Sequence, residues 1–204
     1  MGIERHPYAT AREAADMLAV TGLPRTSVRR ALAAGVAGEA IRTRGSLLYR
    51  RRTIRDLIRE PLTEGTLPHP LDKGTFVLRL WFGAPDIVRF TAHQEDDARR
   101  DSISDGWHMG WQTRLVLVAR ATYGVPMPLL ATCGGFVVVG ATILGARQSA
   151  TDTSTSLRLG PPDDWYEGLH HRILITPRGR PWTILPRARL NNPWVGVNER
   201  DGRA

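Results

Sequence analysis

The chain has 204 residues, of which 42% are hydrophobic and 24% are charged, and its formal net charge at pH 7 is +8. These proportions are those of an ordinary globular protein and exclude a disordered or collagen-like chain. The one cysteine, Cys133, rules out an internal disulfide framework, and its apolar surroundings predict a buried structural thiol. The longest apolar run, 136–144, is too short to span a bilayer, and no secretory signal opens the chain. We therefore expect a cytoplasmic protein with no membrane association.

Positive charge is concentrated at the front of the chain. Residues 1–61 contain 12 arginines and six acidic residues, whereas the rest of the chain has 16 basic and 14 acidic residues. All the basic residues are arginine except Lys73. Arginine binds phosphates or guanine edges bidentately, which lysine does less well. A short positive module on a nearly neutral body is the electrostatic footprint of a nucleic-acid-binding protein.

The front segment predicts two short helices separated by a turn. Thr10 and Glu13 have the spacing of a capping box at the start of a helix over 11–18. Gly22-Leu23-Pro24 breaks that helix, and a second helix follows over 26–32 with a glycine C-cap at residue 35. The second helix is expected to turn Val28, Ala31 and Leu32 inward and to leave Arg25, Ser27, Arg29 and Arg30 outside.

A basic hairpin and a third helix are predicted next. Residues 40–44 and 47–51 read as two strands around a Gly45-Ser46 turn. Thr53 is expected to cap a closing helix, because the apolar residues of 54–58 recur at helical spacing.

The order helix, turn, helix, two-stranded wing, helix resembles the winged helix-turn-helix of the excisionase and MerR-type family. Residues 10–18, 26–35 and 48–58 carry the resemblance. In that family the second helix enters the major groove of double-stranded DNA and the wing follows the phosphates. Carried over position by position, the resemblance implies a DNA-binding set on the second helix and the wing: Arg25, Thr26, Ser27, Arg29, Arg30, Arg42, Arg44, Arg50 and Arg51.

The remainder of the chain is expected to form a linker and a second domain. Residues 62–73 are punctuated by prolines and lack periodicity, which predicts a short, stiff linker between a domain of residues 1–61 and one of residues 74–204. In the back domain the pattern predicts a polar surface helix within 91–101 and a long loop over 148–164. Strands are predicted at 75–82, 114–121, 136–144, 171–176 and 182–185. We therefore expect an α+β protein, a winged helix-turn-helix followed by a small, mainly β, partly closed barrel.

From residue 106 onward the chain is similar to the ASCH branch of the PUA-like barrels. The spacing of glycine, tryptophan and aliphatic residues in 110–119, 131–144 and 165–177 carries this likeness. The resemblance implies binding of RNA or a modified base in a cleft of the barrel, and some members of the family hydrolyse modified nucleosides. Those members use a Lys and a Glu near the cleft, whereas Lys73 lies ahead of the first strand, so hydrolysis is disfavoured.

Three tryptophans and one arginine are candidates for a base or ligand pocket. Trp107, Trp111 and Trp165 would stack a base, and Arg114 would be the polar partner. Packing in the core explains these residues equally well.

The sequence offers no catalytic or metal-binding constellation, and no cofactor is expected. His170 and His171 are adjacent, so a strand would point them to opposite faces, where they could not easily share a metal ion. Structural or surface histidines are the better interpretation. The pairs Asp96-Asp97 and Asp163-Asp164 are typical of solvated faces or caps.

The combined pattern predicts sequence-specific binding to double-stranded DNA, for transcription regulation or as an excisionase-like architectural factor. A single module this small makes few base contacts, so we expect a homodimer or a second DNA contact. The back domain would bind a small ligand, a flipped base or a partner. Two alternatives stay open: a PUA-like protein that binds or hydrolyses modified nucleosides or nucleic acid, and an interaction protein whose basic module binds an acidic protein.

Overall fold

The computed structural model describes residues 6–80, 96–150, 152–176 and 180–186. Within these residues the fold is mixed α/β, with five α-helices and two β-sheets, neither of which closes into a barrel. No helix in this part of the chain has the length and apolar character needed to cross a membrane. The α-helices are α1 (Ala11–Leu18), α2 (Arg25–Ala33), α3 (Arg51–Asp56), α4 (Asp96–Ser102) and α5 (Trp111–Thr122). The strands are β1 (Tyr8–Thr10), β2 (Ile41–Arg42), β3 (Leu47–Arg50), β4 (Thr75–Leu80), β5 (Met127–Cys133), β6 (Phe136–Gln148), β7 (Thr155–Gly160) and β8 (Trp182–Leu185). Short 3₁₀ helices lie at Ala19–Thr21, Glu64–Thr66, Leu71–Lys73 and Asp164–Tyr166.

The front of the chain combines three helices with a small antiparallel sheet. The strand order is β1-β3-β2, so β3 is central and β2 is an edge strand. Ala9 on β1 pairs with Tyr49 on β3, and both side chains are buried in a core that also contains the apolar residues of the helices. Leu18 of α1, Val28 of α2 and Ile54 of α3 are each 0% exposed. Burial of these side chains gives three short helices the tertiary support that they lack in isolation.

Several local predictions for the front segment are confirmed. The capping box of α1 is present: the Thr10 hydroxyl accepts a hydrogen bond from the Glu13 N–H (3.3 Å), and the Glu13 carboxylate accepts one from the Thr10 N–H (2.8 Å). Gly35 follows α2 with a φ of +82°, the left-handed conformation that ends many helices. The expected cap at Thr53 is wrong, because β3 pairs with β1 as far as Arg50 and the chain then enters α3 directly.

A second, five-stranded sheet forms the body of the protein. Its strand order is β7-β6-β5-β4-β8, with β4 and β5 parallel and the other pairs antiparallel. Side chains alternate between its two faces. The face that includes Phe76 packs with α5 and with the front helices in one apolar cluster. The opposite face, which includes Val77, packs on residues 62–71 and 165–174.

The body differs from the sequence expectation in three ways. In the described residues the sheet is open, with β7 and β8 at its edges, where a partly closed barrel was expected. The predicted strand over 114–121 is wrong, because these residues lie in α5. The predicted loop over 148–164 contains β7, and the predicted strand over 171–176 is irregular, with single bridges such as that between Phe136 and Ile173.

Other expectations for the body agree with the structure. β8 coincides with the predicted strand over 182–185, and β6 covers 136–144 and continues four residues further. β4 accounts for the predicted strand over 75–82 up to Leu80, and its last two residues lie outside the described residues. The start of the predicted helix within 91–101 also lies outside them, and α4 accounts for the rest.

The segment 62–73 lies against the sheet. Leu62, Leu67 and Leu71 are buried. The Leu62 N–H donates to the Ile173 carbonyl (2.7 Å), and the Leu62 carbonyl accepts from the Ile175 N–H (2.9 Å). The boundaries of the two predicted domains stay a prediction.

Candidate nucleic-acid interface

Helix α2 has one exposed side and one buried side. Arg25, Thr26, Arg29 and Arg30 are exposed, and Ser27 is half-buried. At 100° per residue, the four exposed residues fall within an arc of about 140°. The expected inward residues of α2 occupy the opposite arc and are at most 3% exposed. The predicted inner residues and the three outer arginines are therefore placed as expected, whereas Ser27, which was also expected outside, is half-buried.

The inner side of α2 rests on the turn between β5 and β6. A Cβ atom built on Gly134 would lie 2.2 Å from the Ser27 carbonyl oxygen and 3.0 Å from the Ala31 Cβ. One on Gly135 would lie 2.8 Å from Leu23, which precedes the helix. Two glycines without side chains thus allow the helix backbone to approach the sheet closely. The contact leaves the basic arc on the other side of the helix.

The cysteine lies under the same helix. The Cys133 side chain is 0% exposed, and its Sγ contacts the Arg30 carbonyl oxygen at 4.0 Å. Burial raises the pKa of Cys133 to about 11, so the thiol stays protonated at neutral pH and is a poor nucleophile. The prediction of a buried structural cysteine is confirmed.

An ion pair joins the exposed side of α2 to α1. Arg25 Nη2 lies 3.2 Å from Asp16 Oδ1, and the two side chains are 50% and 60% exposed. A pair this exposed contributes little to stability. It holds the Arg25 guanidinium toward α1, and water or an incoming anion can compete for it.

Arg51 has a structural role. Its side chain is 12% exposed, and Nη2 lies 2.9 Å from Glu13 Oε1. Its Nε donates to the carbonyl oxygens of His6 (2.9 Å) and Tyr8 (3.0 Å). The guanidinium therefore ties α3 to β1 and α1, and we do not count it among the residues presented to a ligand. Hydrogen bonds from Thr10, above all from its backbone N–H, lower the pKa of Glu13, and Arg51 lowers it further, so this carboxylate is charged at neutral pH.

The hairpin arginines lie on different faces of the small sheet. Arg42 on the edge strand β2 is in register with Leu47, which packs on the core together with the helices. Arg42 is therefore on the helix side of the sheet, at its open edge. Arg50 is an odd number of residues from Leu47, so it lies on the opposite face. Arg44 is in the exposed turn that the Thr43 N–H closes by donating to the Ser46 carbonyl (2.9 Å).

The residues suggested for a base pocket lie in different surroundings. Trp107 is buried, and its Nε1 donates to the Ile103 carbonyl (2.7 Å). Arg114 is close to it, because the Arg114 Nη1 donates to Thr155 Oγ1 (3.4 Å), and Thr155 bridges to Trp107. Trp111 is 64% exposed at the start of α5. Trp165 packs on the opposite face of the sheet, against Tyr166 and the Val77 cluster. The structure thus brings Trp107 and Arg114 together and keeps Trp165 apart from them.

The two adjacent histidines do not point to opposite faces as predicted. Their rings are stacked with centroids 3.8 Å apart, because His171 has a φ of +62° and not the extended conformation of a strand. Burial, followed by the charges of His170, Arg99 and Arg59, lowers the pKa of His171 to about 4. His171 is therefore neutral at physiological pH. Among the described residues, no group of three or more His, Cys, Asp or Glu side chains could hold a metal ion.

An open cleft of about 360 Å³ lies next to His170. Asp163, Asp164 and Glu167 line it together with Tyr166. From the sequence, the two aspartates were interpreted as a solvated pair, and no pattern connected them with Glu167. The cleft forms because the 3₁₀ turn at 164–166 folds back. A cleft with this lining repels phosphate, so the exposed side of α2 is the better candidate for contact with nucleic acid.

The predicted DNA-binding residues divide into two groups according to their hydrogen bonds within the protein and their exposure. Arg51 makes hydrogen bonds within the protein and Ser27 is half-buried, whereas the other seven residues are exposed. Comparisons with protein family models, with curated proteins and with solved structures found no match to this chain.

Proposed function

We propose that this protein binds double-stranded DNA in a sequence-specific manner, through a winged helix-turn-helix formed by residues 1–61. In this proposal α2 is the helix that enters the major groove, and the β2–β3 hairpin is the wing. The observation that carries the proposal is the basic arc of α2, whose Arg25, Thr26, Arg29 and Arg30 side chains are exposed while the opposite side of the helix is fixed to the core.

The chemistry of this arc suits base recognition. A B-DNA major groove about 12 Å wide admits one α-helix, and arginine binds the O6 and N7 of guanine with two hydrogen bonds. Three arginines and a threonine on one side of a nine-residue helix would put several donors along one groove. The acidic partner of Arg25, Asp16, is exposed, so a base edge or a phosphate could replace it at low cost.

The hairpin would add contacts to the DNA backbone. Arg42 and Arg44 are exposed at the open edge and the tip of the hairpin, and Arg42 is on the helix side of the small sheet. Each such arginine would neutralise one phosphate and release its counterions. Arg50 lies on the other face, so we assign it a smaller part.

The proposed role in the cell is control of transcription or of recombination architecture. Both need a protein that recognises a site and holds it, and neither needs a catalytic group. In this proposal the body sets the position of α2 through the β5–β6 turn. The two glycines of that turn allow α2 to pack closely against it.

The experiment begins by selecting bound sequences from a random DNA pool with the full-length protein. Affinity for the selected site is then measured by fluorescence anisotropy across a salt series. We expect log Kd to rise steeply with log salt, and the double variant Arg29→Ala/Arg30→Ala to bind the selected site about 100-fold more weakly, since each bidentate base contact is worth about 1–3 kcal/mol. Arg42→Ala/Arg44→Ala should weaken binding to all sequences and reduce the salt slope by about 2.

A matched control removes two exposed arginines from the body of the protein. Arg147→Ala/Arg180→Ala changes the net charge by the same amount at exposed positions in β6 and just before β8, and we expect it to keep the affinity within about threefold. Full affinity in the Arg29→Ala/Arg30→Ala protein would reject α2 as the reading helix. Failure to enrich any sequence, with binding unaffected by competitor DNA, would favour an acidic protein as the ligand.

A further inference from the structure

Helix α5 carries its polar and apolar residues in an unusual arrangement. Its only charged residues, Arg114 and Arg120, are turned toward the protein. Arg120 is 4% exposed and donates to the carbonyls of Val125 (3.2 Å) and Lys73 (3.3 Å). Arg114 donates to the Met109 carbonyl (3.1 Å). Both charged side chains of the helix therefore make hydrogen bonds within the protein, and no charged side chain of α5 lies on its outer side.

The outer side of α5 is an apolar stripe. Trp111 is 64% exposed, Leu115 51% and Val118 39%, at positions i, i+4 and i+7 of the helix. These three residues lie above one another on one face. The inner side of α5 is also apolar, with Leu117 at 0% exposure. A helix that is apolar on both sides is normally buried on both sides.

A groove continues the stripe onto the sheet. It has a volume of about 260 Å³ and is lined by Val118, Ala121 and Thr122 of α5, by Leu144 to Ala146 of β6 and by Arg158 of β7. Leu144 is itself 38% exposed. Stripe and groove form one surface, which we call the α5 face, with a projecting indole at one end and a depression at the other.

We propose that the α5 face is a dimer interface, and that the occupant is the α5 face of a second copy of this chain. A twofold axis through Leu115 would pack two α5 helices antiparallel. Trp111 lies four residues before Leu115, about 6 Å along the helix, and would then stand opposite residue 119 of the second copy, beside the groove. Each indole would fill the groove of the other copy, so the surface is complementary to itself.

The charge distribution leaves this face open to a second copy. The chain has a net charge of +8, so identical molecules repel one another at most surfaces. The exposed residues of α5 are all uncharged, so two copies can approach here without facing like charges across the centre. Arg158 lines the groove itself, where its Nη2 donates to the Leu144 carbonyl (2.7 Å).

The size of the face sets the expected strength. The 12 residues of α5 make a helix about 18 Å long, and one helix face with an adjoining groove covers less area than the roughly 800 Å² per partner of a standard stable interface. We therefore expect the dimer to have a dissociation constant in the micromolar range. The inference does not rest on DNA binding, although a symmetric pair would present two copies of α2 to a two-part site.

The test is sedimentation of the full-length protein from about 1 to about 200 µM. We expect the wild type to pass from monomer to dimer within this range. Leu115→Glu puts two carboxylates across the axis and should weaken association at least tenfold. Val20→Glu is the matched control, because Val20 is a 73% exposed apolar residue of the front segment, and it should associate as the wild type does. A wild type that stays monomeric throughout, or a Leu115→Glu protein that dimerises normally, overturns the proposal.

A charge-pairing experiment keeps the proposal falsifiable if one variant is unstable. Leu115→Lys should also be monomeric, and mixing it with Leu115→Glu should restore a dimer, because residue 115 faces residue 115 across the axis. Oxidised Leu115→Cys should form a disulfide-linked dimer on a non-reducing gel, whereas Val20→Cys should not. Mixed variants that do not associate, together with Leu115→Cys that does not cross-link, would exclude this geometry.

Discussion

The carbonyl oxygen of Ser27 faces Gly134 so closely that a Cβ atom on the glycine would lie 2.2 Å from it. This contact joins the backbone of α2 to the turn between β5 and β6 of the body sheet. Because the nearest atom belongs to the helix backbone, no side-chain rotation can relieve a substitution at Gly134. The position of α2 is therefore set by a residue more than a hundred positions later in the chain.

We predict that Gly134→Ala destabilises the protein by clearly more than the left-handed backbone alone would cost. The φ of +59° at Gly134 costs an alanine about 1–2 kcal/mol, and the displacement of α2 adds to that. The measurement is urea unfolding followed by tryptophan fluorescence. Gly38→Ala is the control, since Gly38 has a φ of +78° and open space around it. Equal losses in the two variants would mean that the contact with Ser27 is unimportant.

We predict that Arg51→Met lowers the free energy of unfolding by about 2 kcal/mol, because it removes charge-assisted hydrogen bonds to Glu13 and to two backbone carbonyls. The neighbouring Arg52 is exposed, so Arg52→Met should change stability by less than about 0.5 kcal/mol. Chemical denaturation at pH 7 measures both. If Arg51→Met changes the free energy of unfolding only slightly, Arg51 belongs with the DNA-binding residues predicted from the sequence.

We predict that stability falls as the pH is lowered from about 6.5 to about 4, and that His171→Asn removes part of this dependence. The pKa of His171 is lowered to about 4 in the folded protein, from the 6.5 that is usual for histidine. Between these values the unfolded chain binds a proton that the folded protein does not, so acid favours unfolding there. Asparagine tolerates the φ of +62° at this position.

The measurement for His171 is the urea midpoint at intervals from pH 4 to pH 7. An unchanged slope in His171→Asn would assign the acid sensitivity to other groups.

Local signals in the sequence were sufficient for much of the front segment. The Thr10–Glu13 capping box, the apolar side of α2 and the glycine after it each depend on residues within one or two helical turns. Such short-range chemistry can be recognised without knowing the rest of the fold. Strand β1 was missed because three residues next to the first helix carry no period of their own.

The errors lie where distant parts of the chain decide the outcome. The run Leu115-Val-Leu-Val118 is as suitable for a buried strand as for a helix, and only its position over β6 makes it α5. Arg51 was counted with the DNA-binding set because sequence does not reveal that its partners are carbonyls 43 and 45 residues away. The candidate pocket combined residues 107 and 165, which lie on opposite faces of the sheet, because the topology of the sheet could not be read from the pattern.

The apolar side chains of the front helices and those of the Phe76 face belong to a single cluster. Cutting the chain between the front helices and the sheet would expose the apolar surface of both pieces to water. We therefore expect a fragment that ends at residue 61 to be less stable than the full chain, so that the basic segment is best assayed together with the sheet against which it packs.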